Sequence, residues 1–424
     1  KEGRDIGDLP PIKNKRRRAR AAKSLLYHCQ TYHPEVFSLP FSNDHKRVIA
    51  KIEKVVLTGG RSAIAMPRGS GKTSICETAV EFAILHGYHP FTVLIGATES
   101  DARSCLDSIK SEFEANDLLL EDFPEAVYPI HSLEGISNRC AGQLYQGERT
   151  LITWTTSEIV MPTIAGSPAA GAVVRVAGLT GRIRGLKYKR PDGKSVRPTL
   201  VISDDPQPDP SATYVTQSSD RASIVAGAVL GLAGPGKKIS AVMPCTVIKP
   251  GDMADTILDP EKHPEWNGER TKLVYDFPSN EKLWDEYREL RAEAQRNSQG
   301  DLKKVAKICN TFYKKHRKAM DAGAKVAWAQ RKNDDELSAV QHVMNLRFDL
   351  KDPAFFAEYQ NDPFPETEAV HEALSVDEVC SKVNGYARGL VPLTCNHLSR
   401  FIDVPQRLLY RTVRAWPDAL TGFV

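Results

Sequence analysis

Met66-Pro-Arg-Gly-Ser-Gly-Lys-Thr73 is the stretch on which the reading of this chain turns. It follows a short apolar run, Ser62-Ala-Ile-Ala-Met66, and opens into a helix-like segment, 74–86, closed by Gly87 and Pro90. Strand, glycine-bearing loop and helix in that order make a cradle for phosphate. Glycines let backbone N–H groups turn inward around phosphate oxygens, and a helix N-terminus adds partial positive charge. Gly69, Ser70 and Gly71 would line the cradle, and Lys72 would reach the terminal phosphates of ATP. The Thr73 hydroxyl would coordinate Mg²⁺. The strict pattern has glycine where this chain has Met66, and the loop also carries Arg68. A Gly-Lys-Thr triplet alone also occurs in ordinary turns; the flanking strand and helix are what favour a nucleotide site.

Outward from the loop, short β-rich runs alternate with helical stretches between about residues 40 and 250. The runs are 62–66, 92–95, 151–154, 173–177, 199–203 and 239–243. Several are apolar throughout rather than alternating, which predicts strands buried on both faces of a largely parallel sheet. Helical periodicity is clear in 100–116 and in 221–232. The pattern is α/β and doubly wound, and such sheets bind phosphate ligands beyond the carboxyl ends of their strands. Between 281 and 332 the texture changes to charged helix formers, broken at Asn297-Ser-Gln-Gly300, which predicts a helical hairpin appended to the sheet. Proline-bearing loops are expected at Asp352-Pro353 and Asn361-Asp-Pro-Phe-Pro365, and a β-rich section at 401–413.

A nucleotide-hydrolysing site needs a second half, an apolar strand ending in carboxylates. Thr199-Leu-Val-Ile-Ser-Asp-Asp205 supplies one. Asp204 would hold the Mg²⁺ shell, and Asp205 would orient or deprotonate the attacking water. Glutamate is the commoner second residue, so the shorter Asp205 must reach through closer packing or a water. The competing reading is two solvent-facing aspartates opening the turn Asp205-Pro-Gln-Pro-Asp-Pro210. A guanidinium on the developing phosphoryl charge would come from Arg68, from Arg182 or Arg184 in Gly181-Arg-Ile-Arg-Gly185, or from Arg139. Thr246, after the run 239–243, is a hydroxyl placed to meet a terminal phosphate or the lytic water, and Thr98, similarly placed after the run 92–95, would face either the site or DNA.

The 424 residues carry a net charge of +4, and residues 1–23 hold nine Lys/Arg against three Asp/Glu. The run Lys13-Asn-Lys-Arg-Arg-Arg-Ala-Arg20 reads either as a nucleic-acid-binding arm or as a solvated tail. Eight scattered cysteines without a Cys-x-x-Cys pair argue against a zinc or disulfide framework and fit a reducing compartment. The longest nearly apolar run, 222–234, is too short to cross a bilayer.

In this order the elements resemble the large subunit of a tailed-bacteriophage terminase, the motor that packages DNA into a capsid. The resemblance rests on 66–73, on Arg184-Gly-Leu followed by Arg197-Pro-Thr-Leu-Val-Ile-Ser-Asp-Asp205, and on Thr246-Val-Ile248. Residues 313–328, Phe356-Ala-Glu-Tyr-Gln-Asn-Asp-Pro363 and Phe401-Ile-Asp-Val404 with 409–416 extend it from about residue 40 to the end. It implies a P-loop ATPase domain that uses ATP and Mg²⁺ to translocate double-stranded DNA, a helical lid-like subdomain, and an RNase H-like nuclease with two divalent metals. Lys72, Asp205, Arg68 and Arg184 would be catalytic; residues 68–73 with Thr246 would bind nucleotide; Thr73, Asp204 and Asp403 would meet metal.

The expected division is a basic N-terminal arm (1–39), the ATPase domain (40–278), the lid and return segment (279–366), a linker (367–396), and the start of a nuclease (397–424). Only Asp418 follows Asp403 as a carboxylate, so Asp403 is expected to be an orphaned ligand and this chain to cut no DNA; cleavage belongs to a longer chain. Implied partners are duplex DNA, further copies in a ring, the portal and capsid, and a small terminase subunit, in the host cytoplasm and away from membrane. A helicase or other translocase, a P-loop kinase, and a DNA-binding module with a decayed ATPase are the competing readings.

Overall fold

Runs of β-branched and small apolar residues build the centre of the molecule, and the side chains sort by alternate position onto its two faces. The computed structural model describes residues 3–179, 183, 185–190, 193, 195–207, 225, 231–234, 236, 238–365, 390–391, 393–403 and 410–416. Its main sheet comprises β1 (Arg61–Ala65), β2 (Phe91–Gly96), β3 (Thr153–Trp154), β4 (Glu158–Val160), β5 (Val173–Gly178), β6 (Leu200–Ser203), β7 (Ser240–Cys245) and β8 (Glu269–Arg270). They lie in the order β8-β1-β7-β6-β2-β5-β4-β3. The first six positions pair in parallel. β4 and β3 add antiparallel at one edge. The fold is thus α/β around a large mixed, mostly parallel sheet, compatible with a P-loop-like α/β fold.

Leu94, Leu200, Ile202 and Val242 face one core, and Val93, Ile95, Val201, Ala241 and Met243 face the other. That two-sided burial is what the unbroken apolar runs predicted. The first core is covered by α1 (Asn43–Thr58), α2 (Lys72–Leu85) and α3 (Glu99–Ala115). Phe82, Phe91 and Phe113 are completely buried in these cores, and truncating any one to alanine would cost about 3–5 kcal/mol. Of the predicted helix at 221–232, only residues 225, 231 and 232 are described, with Val225 and Leu232 buried in the second core.

The expected helical hairpin is α4 (Glu281–Asn297) and α5 (Leu302–Met320), broken where Gln299 and Gly300 take positive φ. It is shorter than predicted: after Met320 the chain turns into a two-residue strand, Lys325–Val326, paired with Val274–Asp276. Asp321 and Gly323 are poor helix formers, and Gly323 turns the chain at φ 81° into the strand pairing. The proline loop expected at Asp352-Pro353 is instead a kink within α6 (Ala339–Glu358), at Lys351, which has φ 62°. Proline tolerates the first turn after such a break, because its missing N–H would be unpaired there anyway.

The basic N-terminal run is neither a free arm nor a tail. Asn14 caps the helix Lys15–Ala21. Arg17 pairs with Asp122 at 2.5 Å and Glu121 at 2.7 Å, and Arg18 with Glu125 at 2.5 Å. Asp122 is completely buried and also accepts the Tyr32 hydroxyl at 2.7 Å. An acidic neighbour 100 residues away thus neutralises part of the charge that the local sequence left open.

Residues 1–365 form one compact unit and 366–424 a second. In the second, strands His397–Asp403 and Tyr410–Trp416 make an antiparallel hairpin with Asp403 opposite Tyr410. Asp418 lies outside the described residues. No helix among the described residues is long and apolar enough to cross a membrane.

Candidate functional site

β1, β7, β6 and β2 all deliver their carboxyl ends to one edge of the sheet, and register fixes which residues meet there. Cys245 pairs with Ala65 and Ser203 with Ile95, so the loops after β1, β7 and β6 emerge side by side. β7 lies between β1, which leads into the loop 66–73, and the acidic strand β6. Thr246 therefore emerges from the strand between them, within reach of Lys72.

The loop itself needs its glycines. Gly69 and Gly71 have φ 73° and 74°, a left-handed conformation that L side chains seldom adopt. A Cβ on Gly69 would also approach the Arg331 guanidinium to 3.1 Å. Gly71 begins α2 with no side-chain cap and no acidic residue in the first turn. α1 and α3, by contrast, open with side-chain capping boxes at Ser42 and Thr98. The positive end of the α2 dipole is thus kept for an anion rather than consumed by the protein.

Lys72 Nζ donates to Thr246 Oγ1 and lies 2.5 Å from Asp205 Oδ2. Thr73 Oγ1 donates to Asp204 Oδ2 at 3.0 Å, and Cys105 Sγ lies 3.7 Å from the same oxygen. Asp204 Oδ1 is buried without a hydrogen-bond partner. Burial, then the negative charge of Asp205, pushes the Asp204 carboxyl up to about 6 despite Lys72 and Thr73. Asp205 holds φ 34°, strained for a residue with a Cβ, while its N–H bonds Pro244 O at 3.0 Å. An under-coordinated buried carboxylate beside a threonine hydroxyl is a donor pair with the oxygen chemistry that Mg²⁺ prefers.

These residues line a cleft of about 760 Å³ with Arg68, Gly69, Ala97, Asp101, Gln207, Ile248 and Glu358. Arg68 is held at the rim, its Nη1 2.7 Å from Glu358 Oε2 and its N–H on Glu358 O at 2.9 Å. Thr98 is a helix cap, exchanging hydrogen bonds with Asp101, and it is Asp101 that reaches the cleft. Arg139 pairs with Glu134 and the Leu133 carbonyl and does not line the cleft. Arg182 and Arg184 lie outside the described residues. Asp403 belongs to the other compact unit.

The sequence reading missed the residues that brace the loop from afar. Arg331 Nη2 donates to Arg68 O at 2.6 Å, and His45 Nε2 lies 3.0 Å from Ser70 O. The Arg331 guanidinium stands 5.5 Å from the Tyr359 ring, and burial lowers its pKa. No local pattern marks these side chains, because their partners are distant in sequence. A smaller cavity of about 130 Å³ between α4, α5 and α6 is lined by Tyr287, Cys309, Glu336 and Gln341, with no phosphate-binding element.

Compared with known proteins, the chain matches no family model and no curated sequence.

Proposed function

We propose that this chain is an ATP-hydrolysing motor subunit acting on double-stranded DNA, of the kind that packages viral genomes. The observation that carries the reading is the meeting of Lys72, Thr73, Asp204, Asp205 and Thr246 in one cleft of nucleotide size. In this reading the fold is that of a P-loop NTPase. Gly69 to Thr73 cradle the phosphates, and Thr73 with Asp204 holds Mg²⁺. Held there, the metal would supply positive charge against the phosphate oxygens. Lys72, held by Asp205 and Thr246, passes to the terminal phosphate, which leaves Asp205 to orient and deprotonate water. Thr246, touching Lys72 from the intervening strand, senses whether that phosphate is present. Arg68, at the rim, stabilises charge in the transition state once it exchanges Glu358 for phosphate.

A duplex partner is supported by α5. Lys303, Lys304, Lys307, Lys314, Lys315, Arg317 and Lys318 are all exposed on it, and the helix holds no acidic residue. A row of cations suits phosphate contacts that are blind to base sequence, as a translocating motor requires. The hairpin α4–α5 is the proposed lid, and the hairpin carrying Asp403 is proposed to belong to an RNase H-like nuclease that uses two divalent metals. A ring of copies, a portal and a small subunit complete the proposal, in the cytoplasm of an infected cell.

ATP hydrolysis measured with and without duplex DNA tests it. Stimulation that fades steeply as salt rises, and weakens when Lys314 and Lys315 become glutamate, is the expected result. Turnover indifferent to DNA, with phosphate passed to a small acceptor, would replace the motor by a kinase; strand separation would replace it by a helicase.

A further inference from the structure

About two turns along α2 from Thr73, three buried donors converge that the proposed nucleotide site does not use. His28 is on the helix Leu25–Tyr32, His33 immediately follows it, and Glu81 is on α2; all three are buried. His33 Nε2 lies 3.0 Å from Glu81 Oε2, yet neither atom is aligned for a hydrogen bond. Both ring nitrogens of His28 are buried without any partner. An imidazole with two unpaired nitrogens is among the costlier defects a core can hold, and buried polar atoms are otherwise almost always satisfied. One donor atom from each of the three residues lies within 4.8 Å of the others.

We infer that His28, His33 and Glu81 form a buried binding site for one zinc ion, clamping the helix Leu25–Tyr32 to α2. Two imidazoles and a carboxylate are borderline donors that suit Zn²⁺ and supply three of its four tetrahedral positions. Ligands about 2.0–2.1 Å from zinc stand about 3.3 Å apart, so His33 and Glu81 are already spaced for it and the third donor closes by about 1.5 Å. His33 Nδ1 lies 3.2 Å from Glu112 Oε2, and Asn116 Nδ2 steadies that oxygen at 2.8 Å. A carboxylate behind a metal-bound histidine fixes its tautomer and strengthens it as a donor. Charge also balances: Zn²⁺ faces Glu81 and Glu112, with both imidazoles neutral. The absence of a Cys-x-x-Cys pair argued against zinc from sequence, but histidine and glutamate donors leave no cysteine signature. The competing arrangement is a protonated His33 between two carboxylates: burial lowers its pKa, but Glu81 and Glu112 carry it up to about 10.

Zinc content of the full chain, refolded with zinc and washed, is expected at about one equivalent per chain. Refolding with Co²⁺ instead should give the intense visible bands of a tetrahedral site. His28→Phe, which keeps ring volume in the core, should lose both signals, and Glu112→Gln should weaken zinc about 10–100-fold without unfolding the chain. A chelator selective for zinc over magnesium, present during refolding, should lower the melting temperature of wild type but not of His28→Phe. Zinc well below one equivalent, with His28→Phe at least as stable as wild type under both conditions, would overturn the site in favour of the ion pair. Zinc retained in His28→Phe would overturn it equally, by placing the metal elsewhere.

Discussion

Two buried carboxylates, Asp204 at the sheet edge and Glu336 between the helices, are treated in opposite ways by this fold. Glu336 accepts from Asn345 Nδ2 and Asn333 N, each at 2.8 Å, and lies 2.6 Å from His342 Nδ1. Beside it, the Tyr287 hydroxyl donates to Asn345 Oδ1 at 3.1 Å and accepts from Gln341 Nε2 at 3.0 Å, while Gln341 also reaches Asn310. Burial alone would raise the Glu336 pKa, but the bonds from His342, Asn345 and Asn333 outweigh it and hold it low. Asp204 has an oxygen with no partner, a like charge beside it, and a raised pKa. A satisfied network specifies packing; an unsatisfied carboxylate in a cleft is what a site looks like before it meets a cation.

That contrast breaks most visibly at Lys72. Lys72→Ala is expected to cut ATP turnover by about a thousandfold, some 4 kcal/mol in barrier, with its circular dichroism spectrum unchanged. Normal turnover would remove the cleft from the chemistry altogether.

Asp204→Asn sharpens the comparison by sign. Because the folded-state pKa of Asp204 is raised, its stabilising contribution is full below about pH 4 and lost as pH rises through about 6. Thermal melts without divalent metal should therefore show the asparagine variant more stable at pH 8, by on the order of 2–3 kcal/mol, and the gain should vanish near pH 4. A variant less stable than wild type at pH 8 would mean that Asp204 is already well paired.

Glu336→Gln should do the reverse. Its lowered pKa contributes stability above the ordinary carboxylate value, and that contribution fades as pH falls through the folded value. The loss at neutral pH should be about 2 kcal/mol by denaturant melts, shrinking in acid, with kcat for ATP unchanged. A fall in kcat as large as that from Lys72→Ala would show the helical layer to be part of the site.

The smallest effect belongs to Arg68→Ala. Its pair with Glu358 is solvent-exposed, and such pairs contribute under about 1 kcal/mol to stability. Turnover should nevertheless fall at least about tenfold with KM nearly constant, the mark of a charge that acts in the transition state. An unchanged kcat would make Arg68 a rim residue only.

Reading the sequence went furthest where signals are local. All six β-rich runs overlap strands of the main sheet, the run 151–154 only at Thr153–Trp154, because continuous Val, Ile and Leu in short stretches answers to burial on both faces. The hairpin break at 297–300 was legible from Ser, Gln and Gly, and Gly69 and Gly71 from their conformational freedom. Thr246 and Thr98 looked equivalent by spacing, and only strand order separates them: β7 sits between β1 and β6, whereas Thr98 caps its own helix. The basic run at 13–20 looked free until Asp122 was found beneath it.

What amino-acid order alone determined is the glycine-bearing loop and the acidic strand: Gly-Ser-Gly-Lys-Thr needs no distant residue to turn, and Leu-Val-Ile-Ser-Asp-Asp carries its charges wherever the strand ends. Which side chains finish the cleft was settled by folding. Glu358 and Arg331 reach the loop from about 260–290 positions away, and His28 meets Glu81 across two helices. Such encounters depend on the docking of whole elements, and no periodicity within either segment encodes its partner.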